Sequence, residues 1–527
     1  MALLTKLKGT SATTALALLG AGLLTTSAFG ADVALKSADG TVNLTGELID
    51  FADGNYILKT ALGQLRISAS RVRCEGEDCP VFETTTADVH FVGSESMSQG
   101  LMPLLMSGYA SHLDAEATIT NTSVEGEVVA KLVGDGGFGE DLSSFLVSSA
   151  SSADAFEALT SKSAEVAMSS RRIVPAEARA LRDSGAGNMI SPSQEHIAAV
   201  DSLVVITHPN NPVQSVSIEN LRGIYTGAIK NWSELGGDDL EIVAFNHEDG
   251  SGTRAVFVDR VSGGEDLNFA DGQQAFEGHQ QVAAAVNSDP AAIGYVGFAF
   301  QRGAKSLALV NECGISTTPD AFSAKTEEYA LQRRLYLYTR SDTNTPASQD
   351  FIDYVASTSA DGVIAKAGFV DLGISSRKQD ENSARALTLQ NSDVDAFEAG
   401  VMGEMLADMI NYDRLSTTFR FRTGSSTLDE RGRLDMSRLA DYLENLGEGA
   451  SVKFVGFTDS VGAFESNRNL SVGRAKEAAR QLEEFSAGRL EGVKISSAGY
   501  GEIAPSACNI TESGRSVNRR VEVWIES

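Results

Sequence analysis

The loop EDGSGTR, residues 248–254, combines acidic, glycine and hydroxyl residues directly before the apolar run AVFV. Glycines let the backbone turn so that successive N–H groups point into one concavity. Ser251 and Thr253 can cap the helix that follows and offer further donors, and the start of that helix adds partial positive charge. The loop therefore suits an oxyanion such as phosphate, with a plain helix cap and no ligand as the alternative.

Three more hydroxyl-rich loops occur upstream: GSESM, SSASSADAF and MSSRR, which contain Ser96, Ser152 and Ser170. The last loop also carries Arg171 and Arg172, and either could be a fixed cation that pairs with an oxyanion through two N–H groups. The alternative is that each loop only caps its own helix, independently of the others. Donors that converge from all the loops favour one anion cleft.

A second constellation lies in GFTDSVGAFESNRNLSVGRA, residues 456–475. Asp459 is expected to end a strand and Arg474 to lie on the next helix, so that the two face each other across one pocket. A carboxylate and a guanidinium placed in this way would bind the ammonium and carboxylate of a zwitterion. A partly exposed salt bridge of small value is the alternative.

The elements that must position these loops alternate between strands and helices from Val89 onward, which indicates an α/β fold with ligands at strand carboxyl ends. Residues 31–86 read as short strands of a small β module. Residues 376–412 read as a polar linker and a helix with one apolar stripe, formed by Phe397, Val401, Met405 and Met409. Packing of that stripe on a neighbouring domain is favoured over a dimerising coiled coil. Residues 413–527 read as a compact α/β sandwich.

The first thirty residues carry Lys6 and Lys8, an apolar run and small residues at Ala28 and Gly30, which predicts a signal peptide over residues 1–30. A membrane anchor is the alternative. The net charge is −28, with the excess of acidic residues before Arg414, and no nucleic-acid partner is expected.

In an exported chain, the four cysteines can form disulfides. Cys74 and Cys79 are predicted to be bridged, because they are close in sequence. Cys313 and Cys508 lie in different predicted domains, and free buried thiols are favoured there over a bridge between domains. No Cys or His cluster has metal-ligand spacing, so neither a metal site nor a cofactor is expected.

Residues 87–375 resemble the PstS-like periplasmic phosphate-binding proteins of ABC transporters. The resemblance is carried by GSESM, AEVAMSSRRI, DSLVVITHPNNPVQSVSIENLRGIYTGAIKNWSELGG, DGSGTR, AAIGYVG and GFVDLG. It implies a two-lobed, type II periplasmic-binding-protein fold that closes on a dehydrated oxyanion. The positions that match the family's ligand contacts are Ser96, Ser152, Ser170, Ser251, Gly252 and Thr253. Where the family often has an arginine this chain has His247, and Arg171 is expected to supply the charge instead.

Residues 413–527 resemble the OmpA-like peptidoglycan-binding domain, through the motifs FRTGSSTLD, VGFTDSVG, NRNLSVGRA, SAGYGEIAP and NITESGRSVNRRVEV. The resemblance implies that Asp459 and Arg474 hold the diaminopimelate of a peptidoglycan stem peptide. It also implies that the same groove is lined by Thr458, Asn467, Leu470 and Arg519.

The sequence therefore predicts a multidomain α/β protein of a Gram-negative periplasm, which binds phosphate or a related oxyanion and is tethered to the cell wall without a covalent bond. Attachment near the outer membrane and an ABC transporter permease as partner are left open. No enzyme is expected, because DGSGT lacks the spacing of a G-x-S-x-G nucleophile elbow. The alternative is a wall-binding or sensing platform whose solute-binding fold holds no phosphate.

Overall fold

The computed structural model describes residues 32–37, 42–52, 55–61, 63–68, 72–76, 79, 87–122, 124–263, 267–379, 385–386, 389, 395–420 and 430–526. The predicted signal peptide lies outside the described residues. In the part of the chain so described, no helix has the length and apolar character needed to cross a bilayer.

The N-terminal module is an antiparallel sheet with the strand order β4-β3-β2-β1-β5. Its strands are β1 Asp32–Lys36, β2 Asn43–Ala52, β3 Asn55–Thr60, β4 Gly63–Ser68 and β5 Arg73–Glu75. The predicted bridge between Cys74 and Cys79 is confirmed, with 5.8 Å between the two Cα atoms. The module touches the next domain through Asn121, whose side chain donates to the carbonyl of Val72 at 2.8 Å.

The central domain is built on one long mixed sheet with the order β14-β13-β15-β11-β19-β10-β6-β9-β8-β7. Its strands are β6 Val89–Ser94, β7 Glu116–Asn121, β8 Glu127–Val133, β9 Asp141–Ala150, β10 Val166–Ser169, β11 Glu195–Thr207, β13 Val243–His247, β14 Gln274–Phe276, β15 Ala292–Gly297 and β19 Gln332–Thr339. The short strand β16 Lys305–Ser306 pairs with β11. A separate small sheet has the order β12-β17-β18 and consists of β12 Ser215–Ser217, β17 Ala308–Val310 and β18 Ser316–Thr317.

Helices cover this sheet and leave apolar side chains between the layers. They are α1 Glu95–Gly100, α2 Met102–His112, α3 Gly134–Gly137, α4 Ser152–Ser161, α5 Pro175–Asp183, α6 Ile218–Thr226, α7 Gly252–Ser262, α8 His279–Ser288, α9 Ala321–Lys325, α10 Pro346–Ala356 and α11 Asp361–Lys366. Short 3-10 turns lie at Trp232–Leu235, Phe298–Phe300 and Thr358–Ala360. The domain is therefore of the α/β class, as the sequence predicts.

Strand β11 passes from one lobe to the other. Its first part, as far as Ser202, pairs with β19, and its second part, from Leu203, pairs with β15. We therefore call residues 87–202 and 332–375 the first lobe and residues 203–331 the second lobe. The chain crosses between lobes at residues 202–203 and 331–332, which form the hinge.

The C-terminal domain is a sheet of order β20-β21-β24-β22-β23 with helices packed on it. Its strands are β20 Ser376–Arg377, β21 Tyr412–Arg420, β22 Ser451–Gly456, β23 Lys494–Gly499 and β24 Arg520–Glu526, and its helices are α12 Ala396–Met409, α13 Glu430–Leu446, α14 Phe464–Ser486 and α15 Glu512–Asn518. Val401, Met405 and Met409 of α12 are buried against this sheet, among Val455, Phe457, Tyr500 and Trp524. The stripe therefore packs on its neighbour, as its spacing predicts, although Phe397 stays 52% exposed.

The expectation of free thiols at Cys313 and Cys508 is wrong. The two residues form a disulfide, with 5.4 Å between their Cα atoms. Sequence distance concealed this pairing, because docking of the C-terminal domain on the second lobe brings together residues that are 195 positions apart.

Candidate functional site

The hydroxyl-rich loops of the first lobe lie along one edge of the sheet. Ser96 lies in α1 directly after β6, Ser152 opens α4 after β9, and Ser170 follows β10. Strand β6 pairs in parallel with both β9 and β10, so the carboxyl ends of all three strands share that edge. Ser96, Ser152 and Ser170 are all buried.

The second lobe supplies Gly252 and Thr253, the first two residues of α7. Gly252 lies directly against the serines of the first lobe: a Cβ at this position would collide with Ser170 Oγ and lie 2.6 Å from Ser152 Oγ. Those serines are also bonded to each other, because Ser170 donates its backbone N–H to Ser152 Oγ at 3.1 Å. Gly252 therefore lies where the two lobes touch, and a side chain at this position would collide with the first lobe.

The fixed cation of this cluster is Arg333, at the start of β19 beside the hinge. Its Nη1 donates to Thr253 Oγ1 at 2.7 Å, and its Nη2 donates to Ser96 Oγ at 3.2 Å, so one guanidinium joins both lobes. Its Nε donates to Asp201 Oδ2 at 2.8 Å. Arg333 is 3% exposed and Asp201 is fully buried, so the pair is held away from solvent.

His279, at the start of α8, adds an aromatic donor to the cluster. Its Nδ1 accepts the backbone N–H of Gly297 at 3.2 Å, so the proton of the neutral ring is on Nε2. Nε2 lies 2.7 Å from Ser96 Oγ and 3.3 Å from Thr253 Oγ1. Burial lowers the pKa of His279 well below its ordinary value, and nearby His247 and Arg333 lower it further. His279 is therefore a neutral N–H donor.

His247 lies beside this cluster and is also neutral. Its Nε2 is 3.0 Å from the carbonyl of Tyr295, which can only accept, and its ring packs edge-on against His279 with centroids 4.8 Å apart. Burial lowers the pKa of His247 to about 4, although the hydrogen bond to Tyr295 opposes the shift. His247 thus supplies no charge, as the sequence indicates, and its Nδ1 has no hydrogen-bond partner.

The structure corrects the role expected of Arg171. Its guanidinium is held by both carboxylate oxygens of Glu177, at 2.6 and 2.9 Å, and lies over the ring of Phe156. The charge expected of Arg171 is supplied by Arg333 instead. Ser251 acts as the N-cap of α7, where its Oγ accepts the backbone N–H of Arg254, and it is less buried than Gly252 and Thr253.

Sequence reasoning overlooked Arg333, Asp201 and His279. Arg333 lies in RRLYLYTR and Asp201 opens DSLVVIT, and both segments have the apolar pattern of a strand. A weak signal existed, since a charged residue at the end of a buried strand lies where α/β folds place their sites. His279 precedes the apolar run of α8 and looks like an ordinary helix start.

The cluster combines one guanidinium, one imidazole N–H, several hydroxyls and the amino-terminal ends of α4 and α7. Each of these groups offers hydrogen-bond donors, and the helix ends add partial positive charge. Asp201 is committed to Arg333 and to the backbone N–H of Phe298, at 3.0 Å. Burial raises the pKa of Glu95 to about 7, so this neighbouring carboxyl is partly neutral at pH 7. The chemistry favours a small anion.

The second site is a groove in the C-terminal domain, just beyond β22. Asp459 Oδ2 pairs with Arg519 Nη1 at 2.7 Å, and Asp459 Oδ1 accepts the backbone N–H of Val461 at 3.1 Å. Arg474 is buried in α14, and its pKa is lowered by burial and by nearby Arg519. Asp459 thus has Arg519 as an ion-pair partner, a residue that the sequence placed in the same groove.

The remaining groove residues surround this pair. Asn467, Leu470 and Arg474 recur at helical spacing on α14, so they share one face. Asn467 donates its side-chain amide to the carbonyl of Asp459 at 3.3 Å and also to Glu502. Leu470 is 46% exposed. Thr458 is buried and its Oγ1 has no hydrogen-bond partner, and the same is true of Arg519 Nε.

Metal ligation has no support in the part of the chain that the structure covers. Among those residues, no three His, Cys, Asp or Glu side chains come together as a metal ion would require.

Comparison with known families gives two matches. The model of a PBP superfamily domain matches residues 107–359, and the model of the OmpA family matches residues 420–519. The first match contains Ser152, Ser170, Thr253 and Arg333, and the second contains the groove residues from Thr458 to Arg519.

Two curated relatives cover different parts of the chain. The phosphate-binding protein PstS of Bacillus subtilis is 33% identical over 168 residues, which are 31% of this chain and 52% of the relative. The chain thus spans about half the length of that protein. The outer membrane porin F of Pseudomonas aeruginosa is 36% identical over 114 residues, which are 22% of this chain and 32% of the relative.

Among solved structures, an ABC-type phosphate transport receptor from Vibrio cholerae is similar to the central part of the chain. It is 22% identical, with a TM-score of 0.40, and the match covers 54% of this chain and 99% of the receptor.

Proposed function

Because this chain joins a PBP superfamily domain to an OmpA family domain, we propose that its two lobes bind phosphate or a related oxyanion while its C-terminal domain binds peptidoglycan. The observation that carries the first part is the guanidinium of Arg333, which reaches Ser96 in one lobe and Thr253 in the other. A small anion at this point would replace those hydroxyls as the partner of Arg333 and join the lobes.

Affinity in such a cleft comes from desolvated donors. Arg333 and His279 each present an N–H at the lobe boundary, and α4 and α7 start there. Hydrogen bonds to a charged acceptor are about twice as strong as neutral ones. The acidic exterior, with a net charge of −28, slows the approach of an anion but does not decide its affinity. The names of the PstS relatives support phosphate as the first ligand to test.

The groove formed by Thr458, Asp459, Asn467, Leu470, Arg474 and Arg519, which we call the wall groove, supports the second part of the proposal. Asp459 and Arg519 form an ion pair, and buried Arg474 lies on the helix face that also carries Leu470. A diaminopimelate side chain carries an ammonium and a carboxylate, so it can bond to Asp459 and to the arginines at the same time. The unpartnered hydroxyl of Thr458 would then gain an acceptor or a donor.

This function places the protein in the periplasm, at the cell wall, with export by the predicted signal peptide over residues 1–30. The wall groove would keep the binding lobes near the envelope, and an outer-membrane association would follow from the same attachment. A permease of an ABC transporter is the partner that would receive the anion.

The cleft is proposed to bind and not to catalyse. A serine nucleophile needs an unprotonated ring nitrogen facing its hydroxyl. His279 turns its N–H toward Ser96, because its other nitrogen accepts the backbone N–H of Gly297. His279 therefore cannot act as the base for Ser96 in this arrangement.

A second candidate function is a wall-binding platform whose lobes hold no phosphate. This candidate is favoured because the polar groups of the cluster already have partners within the protein. Arg333 is paired with Asp201, and Ser96 is hydrogen-bonded to His279. An anion must compete with those bonds, and the gain must exceed their loss.

Calorimetric titration of the purified protein with phosphate, sulfate and molybdate separates the two candidates. The proposal expects one anion bound per chain, with heat that saturates. No heat with any of the three anions would leave only the platform.

For the wall groove, isolated peptidoglycan sacculi are sedimented with the wild-type chain and with the variants Asp459→Ala and Arg474→Ala. We expect the wild type to co-sediment and both variants to stay in solution. Equal retention of the variants would exclude this groove as the wall site. The surface variant Arg489→Ala, which loses only exposed ion pairs with Asp441 and Glu444, is the control.

A further inference from the structure

The C-terminal domain contacts both lobes of the central domain, on either side of the hinge. On the first lobe, Arg438 of α13 pairs with Asp361 at 2.8 Å and donates to the carbonyl of Ala356 at 2.7 Å. On the second lobe, Cys508 is bonded to Cys313. Because these attachments lie in different lobes, any change in the angle between the lobes must strain or move the C-terminal domain.

Further contacts lie next to the hinge itself. Arg414 of β21 pairs with Glu328 at 2.9 Å, and Ser506 donates its hydroxyl to the same carboxylate at 2.6 Å. Arg420 donates to the carbonyl of Thr326 at 2.6 Å and pairs with Glu327. These partners are only a few residues before the crossing at 331–332. The segment that must bend when the lobes open is therefore held by the C-terminal domain.

Burial makes these contacts costly to break one partner at a time, because the remaining charge would be buried and uncompensated. Arg414 and Arg438 are buried, and the side chain of Glu328 is only 15% exposed. Ion pairs that are screened from solvent in this way retain far more of their attraction than surface pairs.

The lobes held in this way are already in contact across the cleft. Ser96 of the first lobe is bonded to His279 of the second lobe, and Gly252 lies directly against Ser152 and Ser170. The attachments of the C-terminal domain therefore accompany a closed arrangement of the lobes.

The wall groove is connected to these attachments through α15. Arg519, the partner of Asp459, directly follows α15. Asn518, the last residue of that helix, is hydrogen-bonded to the loop that contains Ser506 and Ala507. Its Oδ1 accepts the backbone N–H groups of Ser506 and Ala507, at 2.8 and 3.0 Å. Cys508, which binds the second lobe, is the next residue of that loop. A ligand that moves Arg519 therefore acts on the loop that holds the second lobe.

We propose that the C-terminal domain is a clamp across the hinge, which holds the two lobes closed and couples the occupation of the wall groove to that of the anion cleft. The coupling rests on the proposed function, whereas the clamp itself does not. By linkage, if a wall fragment changes the affinity for the anion by some factor, the anion changes the affinity for the fragment by the same factor.

The clamp is tested by amide hydrogen exchange on the full mature chain. One variant, Cys313→Ser with Cys508→Ser, removes the covalent attachment to the second lobe. Another, Asp361→Ala with Arg438→Ala, removes the ion pair with the first lobe without leaving a buried charge unpaired. Each is expected to exchange several-fold faster than the wild type at α1 and at the start of α7, the segments that face the cleft. The control Arg489→Ala is expected to match the wild type.

Unchanged exchange at both segments in the variants would overturn the clamp. The two variants break different attachments, so the test still decides if one of them fails to fold. This readout needs no ligand, and it therefore gives a result even if phosphate does not bind.

The coupling is tested by measuring the Kd of inorganic phosphate with and without a saturating muropeptide that contains diaminopimelate. We expect a change of at least about fivefold, which is the low end of ordinary coupling between sites. In the variant that lacks the Cys313–Cys508 bond, the phosphate Kd should be nearly the same with and without the muropeptide. Wild-type binding of both ligands, each unaffected by the other, would overturn the coupling but leave the proposed function intact. Absence of binding by either ligand would overturn the proposed function instead.

Discussion

Arg333 and Asp201 form an ion pair of 2.7 Å at the base of the cleft, with both side chains almost entirely withdrawn from solvent. The pair fixes the guanidinium so that its remaining N–H groups reach Thr253 and Ser96. Asp201 thus orients the cation, and the cation joins the lobes. A charge held in this way is ready for an anion without a rearrangement of its own.

Replacing Arg333 tests this arrangement. Arg333→Met leaves Asp201 buried without its partner, so we expect the free energy of unfolding to fall by about 3–5 kcal/mol. The double variant Asp201→Asn with Arg333→Met removes both charges and should recover most of that loss. Urea unfolding measures the stability, and phosphate titration measures binding. Both variants should lose phosphate binding, and wild-type affinity in the double variant would show that Arg333 does not contact the anion.

The buried histidines predict a loss of stability in acid. Burial lowers the pKa of His247 from its ordinary value of 6.5 to about 4. Between these pH values the unfolded chain binds a proton that the folded chain does not, so stability falls as the pH drops through this window. At pH 5 the loss from His247 is about 2 kcal/mol. Glu95 acts in the opposite sense, because its raised pKa of about 7 favours the folded state at low pH.

The variant His247→Gln isolates that effect, because glutamine can still donate to the carbonyl of Tyr295. We expect the difference in unfolding free energy between pH 7.5 and pH 5 to change by about 2 kcal/mol relative to the wild type, in the direction of less acid loss. Urea titrations at the two pH values measure it. An identical pH dependence in the variant would mean that His247 is protonated in the folded chain.

We expect the hydroxyl of Thr458 to lower the stability of the folded chain while it contributes to peptidoglycan binding. Its Oγ1 is buried without a partner, which costs about 1–3 kcal/mol. Thr458→Val removes that cost, so the variant should be more stable than the wild type and bind peptidoglycan less well. Thr418→Val is the matched control, because Thr418 Oγ1 is also buried without a partner but lies in β21, outside the groove. Equal binding by both variants would remove Thr458 from the groove.

The sequence predicts the part of the cleft that depends on strand ends. Ser96, Ser152 and Ser170 come together because their loops follow neighbouring parallel strands. Gly252 and Thr253 could be placed because a glycine-rich turn opens a helix. These inferences need only local patterns and one rule of α/β sheets.

The rest depends on tertiary packing that local patterns do not contain. Arg333 reaches the cleft from a strand far along the chain. Arg171, which directly follows Ser170, instead forms an ion pair with Glu177. Cys313 and Cys508 meet only because two domains dock. Similarly, Asp459 forms an ion pair with Arg519, which lies 60 positions further along the chain.

The phosphate affinity of Gly252→Ala tests the central claim, that the anion binds where the two lobes meet, most directly. A Cβ at Gly252 would collide with Ser170 Oγ and lie 2.6 Å from Ser152 Oγ, so it fills the cleft without changing any charge. Gly362→Ala is the control, because its Cβ would meet nothing within 4 Å. Equilibrium dialysis with labelled phosphate should find one phosphate per chain for the wild type and for Gly362→Ala, and affinity at least about 100-fold weaker for Gly252→Ala, since a lost charged hydrogen bond or two costs about 3 kcal/mol. Undiminished binding by Gly252→Ala, or no binding by the wild type, would contradict the account.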